Sequence, residues 1–188
     1  MTRCDIGANR PVLCGHITVP GVRGKPSAGR QKIGFAVRPR GDRSRPSRGA
    51  IFFIEGGPGY AATNFDSFKS LAAVVAPFLR RHELIAVDQR GTGLSNPLLC
   101  KGLQRGRISV SKALRQCARQ LGVRREGFTT AESAADLEAV RRTLGRGAAL
   151  VTATLLAFAP SWVFYSRTGE WPIVATAPIL NQLFGLTS

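Results

Sequence analysis

The stretch Glu83-Leu84-Ile85-Ala86-Val87-Asp88-Gln89-Arg90-Gly91-Thr92-Gly93-Leu94-Ser95 decides the fold. An apolar strand pattern empties into a turn whose glycines reach backbone conformations that other residues resist. A second stretch upstream has the same design. Ala50-Ile51-Phe52-Phe53-Ile54 runs directly into Glu55-Gly56-Gly57-Pro58-Gly59-Tyr60. A continuous apolar run suits a central strand covered on both faces. Between the two, residues 65–79 carry Phe68, Leu71, Ala72 and Val75 at helical spacing, with Pro77 near the end. Strand, helix, strand with glycine turns at the strand ends is an α/β pattern.

Outward from this centre the elements are weaker. His16 to Pro20 reads as a short strand closed by proline, and Ile33 to Arg38 as the next. The Gly/Pro/basic residues 21–31 suit a hairpin loop between them, and residues 40–48 a polar loop. Downstream, residues 98–123 are irregular, with a helical stretch around Lys112 to Leu121. Thr129-Thr130-Ala131-Glu132 is a helix start, with Thr130 as the expected cap. Ala134, Leu137, Val140 and Leu144 are its expected buried stripe, and Gly145 closes it. From Gly147 the character changes. Residues 147–166 carry no charge, contain Pro160 and follow neither period, and residues 171–188 add little pattern. Two parts are therefore expected, 1–146 and a tail, 147–188.

The chain of 188 residues has a formal charge of +16. Only five of its 27 basic residues are lysine, and the arginines are scattered without aromatic interleaving or zinc spacing. Such usage fits GC-rich coding DNA better than specific nucleic-acid binding, although weak adhesion to polyanions follows from charge alone. No spacing of Cys and His suggests a metal, and nothing calls for a cofactor. Cys4, Cys14, Cys100 and Cys117 allow three disulfide connectivities. Two local bridges are the economical arrangement, and buried reduced thiols stay open. Residues 1–15 hold no apolar signal-peptide core, which leaves a cytoplasmic protein or a secreted one whose start lies upstream of Met1.

The two glycine stretches together resemble the N-terminal half of the α/β-hydrolase family of proline iminopeptidases and tripeptidyl aminopeptidases. Asp88-Gln89-Arg90-Gly91-x-Gly93-x-Ser95 matches a hallmark of that family at the expected distance from Gly56-Gly57-Pro58-Gly59. Glu55 stands where the family usually has His, the variation of the tripeptidyl aminopeptidase branch. Thr129-Thr130 with Asp136-Leu137-Glu138-Ala139-Val140-Arg141 resembles its third stretch, and Cys14-Gly15 leading to Val19-Pro20 its entry. The resemblance covers about residues 4 to 145. It implies a mixed, mostly parallel sheet with flanking helices, followed here by an irregular C-terminal tail. It implies that Gly56 and Gly57 form an oxyanion-hole loop, where a backbone N–H approaches substrate unhindered by a Cβ. Asp88, Arg90 and Ser95 are expected to hold loops. The implied substrate is a peptide or a small ester or amide, cleaved near a peptide N-terminus.

The family pattern then breaks. No Gly-x-Ser-x-Gly elbow occurs anywhere in the sequence, and His16 and His82 both precede its position, against the order Ser, Asp, His. No triad can form from these residues. The genetic code offers a cause. Val151-Thr152-Ala153-Thr154-Leu155-Leu156-Ala157 can be spelled GTT ACG GCG ACT CTG CTG GCG. Two nucleotides on, the same letters read Tyr-Gly-Asp-Ser-Ala-Gly, an elbow at the required place. A frameshift would explain the tail, and a divergent tail is the plainer account. Two functions stand against each other: an aminopeptidase-like serine hydrolase, inactive without its triad, or a non-catalytic fragment or interaction protein. The latter could associate with a membrane through residues 147–166, which follow Arg141, Arg142 and Arg146. The Thr, Ala and Pro content of that segment argues against a span.

Overall fold

The computed structural model describes residues 1–6, 11–55, 59–106 and 108–145. The chain divides into a unit Met1–Ala149 and a second, Leu150–Ser188, that lies outside the described residues. The described residues of the first unit form five strands: β1 (Thr2–Cys4), β2 (Val12–Pro20), β3 (Arg30–Arg38), β4 (Ala50–Phe53) and β5 (Glu83–Val87). Four helices accompany them: α1 (Phe65–Val74), α2 (Lys101–Arg105), α3 (Val110–Leu121) and α4 (Thr130–Thr143). The sheet runs in the order β1-β2-β3-β5-β4. The described sheet is mixed, as the resemblance implies, but antiparallel in three of its four ladders rather than mostly parallel: β1, β2, β3 and β5 pair antiparallel in turn, and β4 and β5 pair parallel. Phe52 lies opposite Ile85 there.

Both faces of this sheet are apolar, which is why its strands read as continuous hydrophobic runs. Successive side chains of a strand point to opposite faces. On β5, Ile85 and Val87 join Phe35, Phe52, Leu137 and Val140 in one core beneath α4. Leu84 and Ala86 join Ile51, Phe68 and Ala72 in a second core beneath α1. Each fully buried Leu, Ile or Phe contributes roughly 1.5–3 kcal/mol. β4 is nevertheless the outermost strand among the described residues. Its apolar run reports that both faces are covered, and carries no information about its edges.

The helices depart from expectation in detail. α1 ends at Val74, and a short 3-10 turn, Phe78–Arg80, follows Pro77. Asn64 caps α1 through the Asp66 N–H. Thr129 caps α4, one residue before the expected Thr130, because its hydroxyl accepts from the Glu132 N–H while Thr130 is already helical. Gly145 follows the helix with φ 61°, the left-handed conformation that glycine supplies. The stripe of α4 also differs. Ala134 is exposed, and Asp136 is buried beside Leu137 and Val140. A buried carboxylate takes the place expected of an apolar residue because it has a cationic partner. β1 and the short α2 have no clear signal in the sequence.

Cys4 is bonded to Cys14, joining β1 to β2, and Cys100 to Cys117, joining the start of α2 to α3. Among the described residues no cysteine is free. Among them, too, no helix is long and apolar enough to cross a membrane. Residues 147–166 lie outside that description.

Candidate functional site

The turns after β4 and β5 emerge at the same edge of the sheet, because the two strands are parallel neighbours. This is the edge at which open α/β sheets gather ligands. The turns touch directly: the Gln89 side-chain amide donates to the Glu55 carbonyl oxygen at 2.7 Å. Gly56, Gly57 and Pro58, the expected oxyanion-hole residues, lie outside the described residues. Gly59, next in the chain, has φ 94°, and Tyr60 is exposed.

Asp88 organises the second turn. It is fully buried, and its carboxylate accepts from the Thr63 N–H at 2.9 Å, the Thr63 hydroxyl at 2.6 Å and the Leu94 N–H at 2.7 Å. Three charge-assisted bonds hold the carboxylate in place. Gly93 must be glycine here. With φ 39°, a Cβ would fall 2.2 Å from the Asp88 carboxylate and 2.6 Å from Ala61. Ser95 completes the loop. Its hydroxyl donates to the Asp88 carbonyl at 2.8 Å and accepts from the Gly34 N–H at 2.7 Å. The Gln31 amide holds the Ser95 carbonyl at 3.1 Å. Ser95 is wholly buried and its proton is committed to a backbone carbonyl, so it is not placed to attack anything.

Arg90 points the other way, into the body of the protein. Its side chain is 2% exposed. It donates to the Glu132 and Asp136 carboxylates, with Nη2 at 2.8 Å and 2.9 Å from them, and to the carbonyls of Pro20, Gly21 and Gly127. Arg23 closes the network, with Nη2 2.8 Å from Asp136 and its backbone N–H 2.7 Å from Glu132. Two arginines and two carboxylates thus lock the end of β2, the turn after β5 and the first turns of α4 together. Gly127 sits against it so closely that a Cβ would lie 2.2 Å from the Gly21 oxygen. Burial pushes the Glu132 carboxyl up, but the Arg23 N–H, the Arg23 guanidinium and Arg90 outweigh it and hold the group below the usual carboxylate range.

A depressed carboxylate favours the fold above its unfolded value and loses that contribution as pH falls through its folded value. Stability should therefore decline as pH drops below about 4, where an unperturbed glutamate titrates. Glu132→Gln should lower stability at neutral pH and flatten this acid decline. Urea unfolding followed by circular dichroism across the acid range checks it. An unchanged acid slope in the variant would show that Glu132 is not the group responsible.

The sequence-predicted residues thus separate. Glu55, Gln89, Asp88, Gly93 and Ser95 meet at one edge, and Gly91, with φ 78°, packs under Phe128. Arg90 serves the interior. His16 is exposed on β2, and His82 precedes β5 at the opposite end of the sheet, with Nδ1 3.0 Å from the Phe78 carbonyl. No nucleophile and base adjoin among the described residues. Thr63, Gly34, Gln31 and Arg23 are structural partners that no local motif marks, and Glu132, read only as part of a helix start, is another.

A mixed sheet with glycine turns joined at the carboxyl edge of β4 and β5, and a helix packed on each face, is the N-terminal part of an α/β-hydrolase fold. The chain is 31% identical over 163 residues to a tripeptidyl aminopeptidase of Streptomyces coelicolor and 30% identical to one of Streptomyces lividans. Over that stretch it is similar to these tripeptidyl aminopeptidases. The match takes in 75% of this chain and 30% of each relative, so the chain spans less than a third of their length. A solved structure from Agrobacterium vitis S4, which carries a provisional hydrolase name, is 24% identical. It covers 60% of this chain and 36% of its own, at a TM-score of 0.30, too low to bear on the argument. No protein-family model matches the sequence.

Proposed function

We propose that these residues form the substrate-edge half of an aminopeptidase-like serine hydrolase, and that this polypeptide by itself is catalytically silent. The turn after β4 would present Gly56 and Gly57 as oxyanion donors, steadied from below by the Gln89 bond to Glu55. The nucleophile, acid and base would have to come from residues that this sequence does not contain. The observation that carries the silent reading is Ser95. It is the serine of the one motif that reaches the carboxyl edge, and its hydroxyl is sealed between Asp88 and Gly34. The substrate class is a peptide cleaved near its N-terminus, or a small ester or amide of similar shape, with no cofactor.

A fluorophosphonate probe and chromogenic aminoacyl and tripeptidyl substrates test this together. Neither labelling nor turnover above background is expected. Oxyanion donors alone leave only about 10³–10⁴-fold over water even in well-formed enzymes. Labelling mapped to Ser95 would overturn the assignment of that residue and call for another mechanism.

A further inference from the structure

We propose that an arginine-lined cleft at the other end of the sheet binds a compact polyanion carrying two or more phosphate groups. The cleft has a volume of about 210 Å³ and is lined by Arg45, Arg48, Arg80 and Arg81 with Pro77, Phe78 and His82. It lies before β4 and β5, opposite the edge that carries Glu55 and Asp88, so it is separate from the site proposed above.

Three observations support an anion there. The first is charge. Four arginines line the cleft and no carboxylate does. Asp42, just outside, is shared between Arg45 at 3.6 Å and Arg80 at 3.9 Å. Among the described residues neither Arg48 nor Arg81 is in an ion pair. Four like charges held around one hollow repel one another, and a bound polyanion would relieve that repulsion.

The second is rigidity. The two walls are zipped by backbone hydrogen bonds, Gly41 N–H to Leu79, Asp42 N–H to Arg80, Arg48 N–H to Arg81 and Glu83 N–H to Gly49, at 2.8 to 3.2 Å. The arginines are therefore gathered before any ligand arrives, which lowers the entropy lost on binding. The third is an unfilled donor. The Arg81 Nε–H is buried and has no acceptor among the described residues, while its Nη2 reaches only the Pro46 carbonyl at 3.3 Å. Buried donors are rarely left without a partner. Guanidinium forks match phosphate oxygens two at a time, and several forks around one hollow favour a polyphosphate over a single phosphate.

Calorimetric titration of the full chain with inorganic triphosphate tests the proposal. Saturable binding is expected, weakening as salt rises through the physiological range. Arg45→Gln with Arg80→Gln should weaken it by about tenfold or more. Both side chains are largely exposed, at 63% and 74%, so the fold should tolerate the change, and circular dichroism verifies it. Arg115→Gln with Arg119→Gln, on the exposed face of α3, removes the same charge elsewhere and should change affinity by less than about twofold. Inorganic monophosphate should bind at least about tenfold more weakly than triphosphate. Vesicles bearing a phosphoinositide bisphosphate separate two sources. Capture that depends on Arg45 and Arg80 assigns a lipid headgroup, and triphosphate binding without capture assigns a soluble anion. Equal losses in the two double variants, equal affinity for monophosphate, or no saturable binding would each overturn the proposal. None of these readouts depends on hydrolase activity, so the two assignments stand or fall separately.

Discussion

Arg90→Ala is expected to lower stability by about 3–5 kcal/mol, the cost of stripping one partner from a buried ion pair. Asp136, only 3% exposed, would be left facing Arg23 alone, and the carbonyls of Pro20, Gly21 and Gly127 would lose their donor. Domains of this size hold about 5–15 kcal/mol in all, so the variant keeps little margin. A fall of roughly 10–20 °C in the thermal midpoint should follow. Arg90→Lys should recover only part of the loss. An ammonium keeps the charge but cannot serve two carboxylates and three carbonyls from one planar fork. Replacing Arg90 and Asp136 together with Met and Leu separates the causes. If the damage comes from the stranded charge, the double variant should be more stable than Arg90→Ala. Thermal and urea unfolding of the variants decide it. A loss under about 1 kcal/mol in Arg90→Ala, the range of an exposed pair, would sink the idea that this network ties α4 to the sheet.

That network also shows where the sequence stops being legible. The strands β4 and β5 and the glycine turns that follow them are legible in the sequence, because apolar runs and glycine turns are local signals, whereas the edge position of β4 is not. Arg90 stood out as part of a motif. Its partners Glu132 and Asp136 also fall in recognised stretches, but nothing local joins them to Arg90. Asp136 lies 46 positions away and Glu132 lies 42, each on a helix where carboxylates near the N-terminus are ordinary. The expected stripe went to Ala134 because apolar spacing cannot see that a charged residue will be buried opposite a guanidinium. Ser95 shows the complementary case. Its place in the motif suggested a supporting role, but only the structure shows that its hydroxyl is committed in both directions. Gly34 is set by a neighbour 60 residues on, since a Cβ there would lie 2.3 Å from Leu94, and nothing in its own surroundings says so.

The coding DNA is expected to show a change of reading frame between the codons for Leu144 and Val151. Up to Leu144 every level agrees. α4 is capped by Thr129, its Leu137 and Val140 are buried, and Gly145 ends it in the conformation that glycine supplies. From Gly147 to Ser166 the sequence loses charge, period and family motif together, and independent losses at one point are improbable in a tail selected for its own function. Read two nucleotides on, the DNA should spell Gly-x-Ser-x-Gly and continue open through an Asp and a His. The chain expressed in that frame should then label with a fluorophosphonate and turn over tripeptidyl substrates. Removing the nucleophile or base of a serine hydrolase costs on the order of 10⁶ in kcat, so the contrast with the present polypeptide should be of that size. Sequencing comes first because it needs no protein. Immediate stop codons in the shifted frame, or the absence of the elbow, would mean that the tail is genuine. The non-catalytic reading would then extend from this polypeptide to its gene.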